Sequence, residues 1–374
     1  MFFKDVTGQE AIKKRLIRSV KEGRISHAQL FTGPEGTGKL ALALAFAQYV
    51  SCRNRGETDA CGECPSCRKY QKLVHPDLHF VFPVFPTKEE KKPVSDDFLP
   101  RWREKVLQSP YFTLSQWLGF VENENAQGLI YERESDSILH KLNLKPFESE
   151  FKVMIIWLPE KMHPACSNKL LKLIEEPPVK TLFLMISEDD EAVISTIRSR
   201  AQRIKVPRID KEAMRTTLVE KQGIPPEQAA EAVHLANGNL IKALEFATPN
   251  EDARFFFGKF QEMMRFAYQP EIVKLVNWAE EMAKLGRDRQ KSFFSFALKL
   301  VREYFMMNLK KPGLLYMNEQ EKDWGGRFSP YINERNIIPF ADAFEKAIRH
   351  ISQNGNPKII FLDTALLTAK LLRR

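Results

Sequence analysis

Gly33-Pro34-Glu35-Gly36-Thr37-Gly38-Lys39-Leu40 constrains this chain more than any other stretch. The pattern G-x-x-x-x-G-K-[ST] is a phosphate loop. Its glycines let successive backbone N–H groups point into one concavity, its lysine reaches the terminal phosphates, and its hydroxyl holds Mg²⁺. Here Leu40 stands where the hydroxyl belongs. The flanks predict a strand, a loop and a helix in succession. Ala28-Gln29-Leu30-Phe31 is apolar and strand-like, and the residues from Leu40 to Ala45 are strong helix formers. Gly33, Gly36, Thr37, Gly38 and Lys39 are therefore the candidate phosphate-binding residues, in a loop that lacks one metal ligand.

With 374 residues the chain has room for two or three domains, each with its own core. A hydrophobic share of 43% and a charged share of 28% are those of a soluble globular protein. No apolar run approaches the length that spans a bilayer, so a membrane function is not expected. Met1-Phe2-Phe3-Lys4-Asp5 lacks the layout of a signal peptide, and the expected location is the cytoplasm. The net charge of +9 favours an acidic partner such as nucleic acid, but it is diluted over the whole length.

Four of the five cysteines crowd into Cys52-x8-Cys61-Gly62-Glu63-Cys64-Pro65-Ser66-Cys67. Two overlapping C-x-x-C steps place three thiolates on a tight turn, and Cys52, at the preceding helix end, can close a tetrahedron. Four soft ligands with no open position fit structural Zn²⁺. Free thiols or a single redox pair are the alternatives. His75 is a spare ligand that four cysteines make unnecessary, and Cys166 reads as a small core residue.

Along the chain, residues 5–24 read as a helix that Thr7 could cap. Residues 79–127 form an insert in which Phe80, Phe82 and Phe85 suggest an edge strand. Lys88 to Lys92 is a solvated charge run there. Trp102, Tyr111, Phe112, Trp117 and Phe120 decorate short helices that either pack a subdomain or stack on single-stranded nucleic acid. From Ser135 a strand–helix rhythm returns. The unalternating runs Phe151 to Ile156 and Thr181 to Ile186 predict strands buried on both faces of a parallel sheet. A helix from Lys161 to Glu176, one from Ala192 to Arg198 and a last strand over residues 203–206 complete a doubly wound α/β sheet, with its ligand site at the carboxyl ends of the strands. After Pro207 the pattern is helical to the end. The Lys311 to Phe328 loop interrupts it, and its aromatic stripes suit a bundle core.

These stretches together resemble the bacterial clamp-loader subunits of DNA polymerase III, of the AAA+ class. The matching residues are Gly8-Gln9-Glu10, His27-Ala28, the phosphate loop, the four-cysteine module and the 152–156 strand. They continue with Asn168-Lys169-Leu170-Leu171-Lys172-Leu173-Ile174-Glu175-Glu176-Pro177-Pro178 and Ser199-Arg200. The resemblance is strong over residues 1–248 and beyond that rests on helical character. It implies a P-loop domain over 1–207 carrying the zinc module (52–67) and the insert (79–127). A small helical lid would cover 208–248, and an all-α collar for oligomerisation 249–374.

Two subunit types share this layout, the ATP-hydrolysing gamma/tau motor and the delta-prime subunit. The motor's strand is followed by acidic residues that orient Mg²⁺ and water. Here Trp157 and Leu158 follow, with Glu160 too late to replace them directly. The motor's second sensor is a G-x-x-R step, and here Gly238 is followed by Ile241 at the arginine position. With Leu40, three departures fall on hydrolysis chemistry. Ser187 stands at the first polar sensor position, with no catalytic role assigned. Ser199-Arg200-Ala201 resembles the family's Ser-Arg-Cys motif, whose arginine reaches a neighbour's ATP. The resemblance therefore implies a delta-prime-like subunit with Arg200 as a trans arginine finger and structural Zn²⁺ on Cys52, Cys61, Cys64 and Cys67. Its implied partners are gamma/tau and delta subunits, and through them the sliding clamp and primed DNA. Nucleotide binding without hydrolysis stays open. The other readings are an active gamma/tau-type ATPase and a zinc-containing nucleic-acid-binding protein.

Overall fold

The structure is a computed structural model in which residues 1–87, 90–121, 127–247, 251–269, 271–309 and 315–373 are described. Lys88 and Glu89 of the expected charge run, residues 122–126 of the insert and residues 311–314 of the late loop lie outside them. The chain divides into two compact units, Met1–Ala247 and Thr248–Arg374.

The first unit is built on five parallel strands: β1 (Ala28–Thr32), β2 (Leu78–Val81), β3 (Lys152–Trp157), β4 (Thr181–Ser187) and β5 (Gln202–Lys205). Their order is β2-β3-β4-β1-β5. Every residue of β1, β3 and β4 is buried, which is why their sequences show no alternation. The α/β class expected from the sequence holds, and β2, which holds Phe80 but not Phe82 or Phe85, is one of the two edge strands. The register sets Thr32 beside Ser187 and Trp157 beside Ile186. The residues that follow β1, β3 and β4 therefore converge at one end of the sheet, where open parallel sheets bind ligands.

Helix α1 (Glu10–Lys21) precedes β1, and α2 (Lys39–Ser51) and α3 (Pro65–Gln71) follow it. The helix expected over 5–24 is shorter because Gly8 and Gln9 both hold positive φ and break it. Thr7 does not cap it. Its hydroxyl instead meets that of Thr217 at 3.0 Å, buried. In the insert, α4 (Leu99–Gln108) and α5 (Leu114–Phe120) flank the turn that carries Tyr111 and Phe112. Helices α6 (Glu134–Asn143), α7 (Pro164–Glu175) and α8 (Ser195–Arg200) complete the layers on the sheet. The helix expected to end at Arg198 runs on to Arg200. Helices α9 (Lys211–Thr216), α10 (Pro226–Ala236) and α11 (Leu240–Ala247) enclose a small core of their own around Met214, Leu218, Ala232 and Ala243. Asn237 ends α10 in the left-handed conformation, as its Asn-Gly sequence predicts.

The second unit is helical among its described residues: α12 (Glu251–Tyr268), α13 (Ile272–Ala283), α14 (Arg287–Asn308), α15 (Glu319–Phe328), α16 (Ile337–Ser352) and α17 (Pro357–Leu371). Phe260, Phe293, Phe294, Phe344 and Phe361 are fully buried in its core. The rings of Phe294 and Phe361 stack at 4.6 Å. The aromatic stripes are core, as expected. No helix among the described residues is long and apolar enough to cross a membrane.

Candidate functional site

The turn between β1 and α2 has the geometry of a phosphate loop. Gly33, Gly36 and Gly38 all take positive φ, and Gly38 starts α2 from the left-handed region. Glycine is required at two of these positions for contact reasons as well. A Cβ on Gly33 would lie 2.1 Å from the carbonyl oxygen of Val206, and one on Gly36 would lie 1.8 Å from Oδ1 of Asn239. Thr37 Oγ1 donates to the Pro34 carbonyl at 2.9 Å.

The charged groups have turned inward. Lys39 Nζ donates to the carbonyls of Gly33 (2.9 Å) and Pro34 (2.5 Å). Burial lowers its pKa, against the pull of Glu188, Glu160 and Glu35. Burial raises the Glu188 carboxyl to about 7. Lys39 opposes this, while Glu35 and Glu160 push the same way. Glu160 reaches this cluster by accepting the Glu188 N–H at 2.9 Å through Oε1. Its Oε2 and the Ser187 hydroxyl are buried without a hydrogen-bond partner among the described residues. Three carboxyl groups near Lys39 offset the positive field that its ammonium would present to an anion. The sequence reading missed Glu188, although it directly follows a buried strand at the carboxyl end of the sheet, where such a group could have been sought.

Aromatic rings fill the space above the loop. Trp157, where β3 ends, packs at 5.2 Å from Trp102 and 5.1 Å from Phe112. Trp102 in turn stacks flat on Phe82 at 4.1 Å and meets Trp117 edge-on at 5.2 Å. Trp102 and Trp117 are fully buried, and Trp117 Nε1 donates to the Pro83 carbonyl at 2.9 Å. These aromatics pack a subdomain and offer no open stacking face. The cavity bounded by Gly36, Lys39, Leu40, Phe112, Trp157 and Ile241 measures about 20 Å³. A water molecule needs ~10–15 Å³ and drug-sized ligands occupy ~300–1,000 Å³, so this space has room for a water or two. Leu40, Trp157 and Ile241, the three departures in sequence, all line this one remnant.

Arg200, the last residue of α8, does not line that cavity. Its Nη1 donates to the Thr196 carbonyl at 3.0 Å, and its Nη2 pairs with Glu175 Oε1 at 2.5 Å. Both side chains are substantially exposed.

The four cysteines come together. Cys52 follows α2, Cys64 is the N-cap of α3, and Cys67 lies in the first turn of α3. All four Sγ atoms lie within 4.8 Å of one another, and the four thiols are free of disulfides. The Cys52–Cys61 and Cys61–Cys67 sulfur distances are 3.5 and 3.9 Å. A tetrahedron with metal–sulfur bonds of ~2.3 Å has edges of ~3.8 Å. The N–H groups of Cys61, Cys64 and Cys67 donate to the sulfurs of Cys52, Cys61 and Cys64 at 3.3–3.5 Å, as stabilisation of thiolates requires. The cluster can hold a metal ion. His75 is not part of it. It is buried against Tyr70, and its Nδ1 accepts the Asp77 N–H at 3.1 Å. Cys166 is a core residue of the α7 face.

The family model described as DNA polymerase III, delta subunit, matches residues 8–210. The chain belongs to this clamp-loader family. Among curated proteins, it is 27% identical to DNA polymerase III subunit delta' of Bacillus subtilis over 246 residues, which are 66% of this chain and 61% of that protein. It is 28% identical to the subunit tau of the same organism over 57% of this chain and 30% of that protein. The match thus spans less than two thirds of the length of either relative. A solved gamma subunit-related protein of Thermotoga maritima overlaps 96% of this chain and 99% of its own, at 14% identity and a TM-score of 0.40.

Proposed function

We propose that this chain is a delta-prime-type subunit of the DNA polymerase III clamp loader, working in the cytoplasm in DNA replication without hydrolysing ATP itself. One observation carries the reading. The phosphate loop keeps its backbone shape, but Leu40 and Trp157 occupy the places of its Mg²⁺ ligands and the space above Lys39 is about 20 Å³. Phosphoryl transfer depends on metal and charge positioning, and neither can be assembled there. The chain's contribution is then Arg200, presented to ATP held by an adjacent gamma/tau subunit. Its tie to Glu175 is an exposed ion pair worth ~0–1 kcal/mol, small enough to be exchanged for a phosphate. Delta completes the set of partners, with the sliding clamp and primed DNA reached through the assembly. Residues 1–207, 208–248 and 249–374 serve as P-loop domain, lid and oligomerising collar. Zn²⁺ held by Cys52, Cys61, Cys64 and Cys67 braces α2 against α3, with no open coordination position for catalysis.

The test is a reconstituted ring carrying Arg200→Ala. The variant should fold and assemble, while ATP hydrolysis at the site it serves falls at least roughly tenfold. Normal hydrolysis would remove the finger. Magnesium-dependent ATP turnover by the purified chain, abolished by Lys39→Ala, would instead make it a motor of the gamma/tau type.

A further inference from the structure

The turn between α4 and α5 does more than occupy space. The Thr7 N–H donates to the Tyr111 hydroxyl at 3.0 Å, and the Tyr111 ring lies so close to Gly38 that a Cβ there would meet it at 3.1 Å. The same ring packs into two cores at once, that of the sheet and that of α9–α11. One side chain thus touches the segment before α1, the start of the phosphate-loop helix and the lid. A second link joins the insert to the lid. Gln116 Nε2, on α5, donates to Glu245 Oε1, on α11, at 3.0 Å. The lid meanwhile sits directly on the loop: the Leu240 N–H donates to the Gly36 carbonyl at 3.0 Å, and Asn239 fills the space that a side chain on Gly36 would take.

From these contacts we infer that Pro110-Tyr111-Phe112 is an intramolecular occupant of the nucleotide site, which holds the lid against the phosphate loop with no nucleotide present. Phe112 closes the phosphate end against Trp157. Tyr111 supplies a flat ring with a polar edge, bonded to a backbone N–H, between lid and loop. These are the contacts through which a bound base would couple the two bodies. The insert has taken over the structural task of the ligand, and the position of the lid no longer depends on ATP concentration. This goes beyond the proposed clamp-loader role and does not need Arg200 to be a finger. Loss of finger activity and loss of lid docking are read in separate experiments.

Hydrogen exchange of the full chain tests it. Peptides from residues 209–247 should exchange at the same rate with and without millimolar MgATP. In Tyr111→Phe, which keeps the ring and removes only the hydroxyl, their exchange should rise about twofold to tenfold, the effect of one hydrogen bond. In Tyr111→Ala, which also removes the ring, it should rise by more than roughly tenfold while β3 and β4 keep wild-type protection. Should the alanine variant fail to fold, the phenylalanine variant decides by itself. Slower lid exchange in the wild-type chain on adding MgATP would overturn the inference. So would lid exchange left unchanged by removal of the hydroxyl and, in a folded alanine variant, of the ring.

Discussion

The ionisation of Glu188 is set by its surroundings. Burial, with Glu35 and Glu160 nearby, raises its carboxyl from an ordinary 4.5 to about 7, despite the attraction of Lys39. The folded chain then keeps a proton that the unfolded chain has lost. Between about pH 4.5 and 7 the unfolded state binds fewer protons, so this group lowers stability as the pH rises through that window. Glu188→Gln removes the effect. Thermal or denaturant unfolding should find the variant more stable than wild type at about pH 8, by ~1–2 kcal/mol after discounting for partial exposure, and equal to it near pH 4. Equal stabilities at both pH values would show that the carboxyl is not held as described. Arg200 is paired with Glu175 at the surface, where an exchange of partner costs little.

Among the elements, α2 and α3 are the pair that the proposed zinc would tie together through Cys52, Cys61, Cys64 and Cys67. Helix α3 is seven residues long and opens on Cys64 and Pro65, too short to be stable without tertiary contacts. Tyr70 and Cys67 are buried, Tyr70 bonds the Ser51 hydroxyl at 2.8 Å, and the turn before the helix is held by Gln71 Nε2 donating to the Gly62 carbonyl and by N–H groups donating to cysteine sulfurs. Metal analysis should find about one zinc per chain. Chelation, or Cys64→Ser, should lower the unfolding free energy of the first unit by ~3–4 kcal/mol, the value expected when free metal exceeds its dissociation constant a hundredfold to a thousandfold. A chain that binds no zinc when carefully prepared, or that melts identically after chelation, would reduce the cluster to four thiols. In the insert, the sequence favours aromatics that pack a subdomain over aromatics that stack on bases, and Trp102 and Trp117 are buried, with Trp102 against Trp157.

At the scale of the molecule, two cores are separate in sequence. One lies within Met1–Ala247 and the other, rich in phenylalanine, within Thr248–Arg374. A fragment of residues 248–374 should therefore be helical by circular dichroism and melt cooperatively without the rest of the chain. A broad, non-cooperative transition would mean that its core is incomplete alone.

Most of this architecture is legible in sequence because it rests on local chemistry. Short apolar runs rich in β-branched residues favour strands buried on both faces, glycines at fixed offsets favour a loop with positive φ, and closely spaced thiols favour one metal cluster. That Leu40 and Trp157 offer no metal-ligating oxygen is likewise a matter of residue type. Spacing does not encode what approaches from far along the chain. Glu188 comes to Lys39, and Tyr111 to Thr7 and Gly38, across separations of roughly seventy to one hundred and fifty residues, fixed by strand order and by the packing of an insert with no regular period. The sequence by itself determined that the loop at Gly33–Leu40 has Leu40 where the phosphate-loop pattern has a hydroxyl. Only the tertiary structure decided that Phe112 and Trp157 crowd the space beside it, because free volume is set by which side chains meet in space.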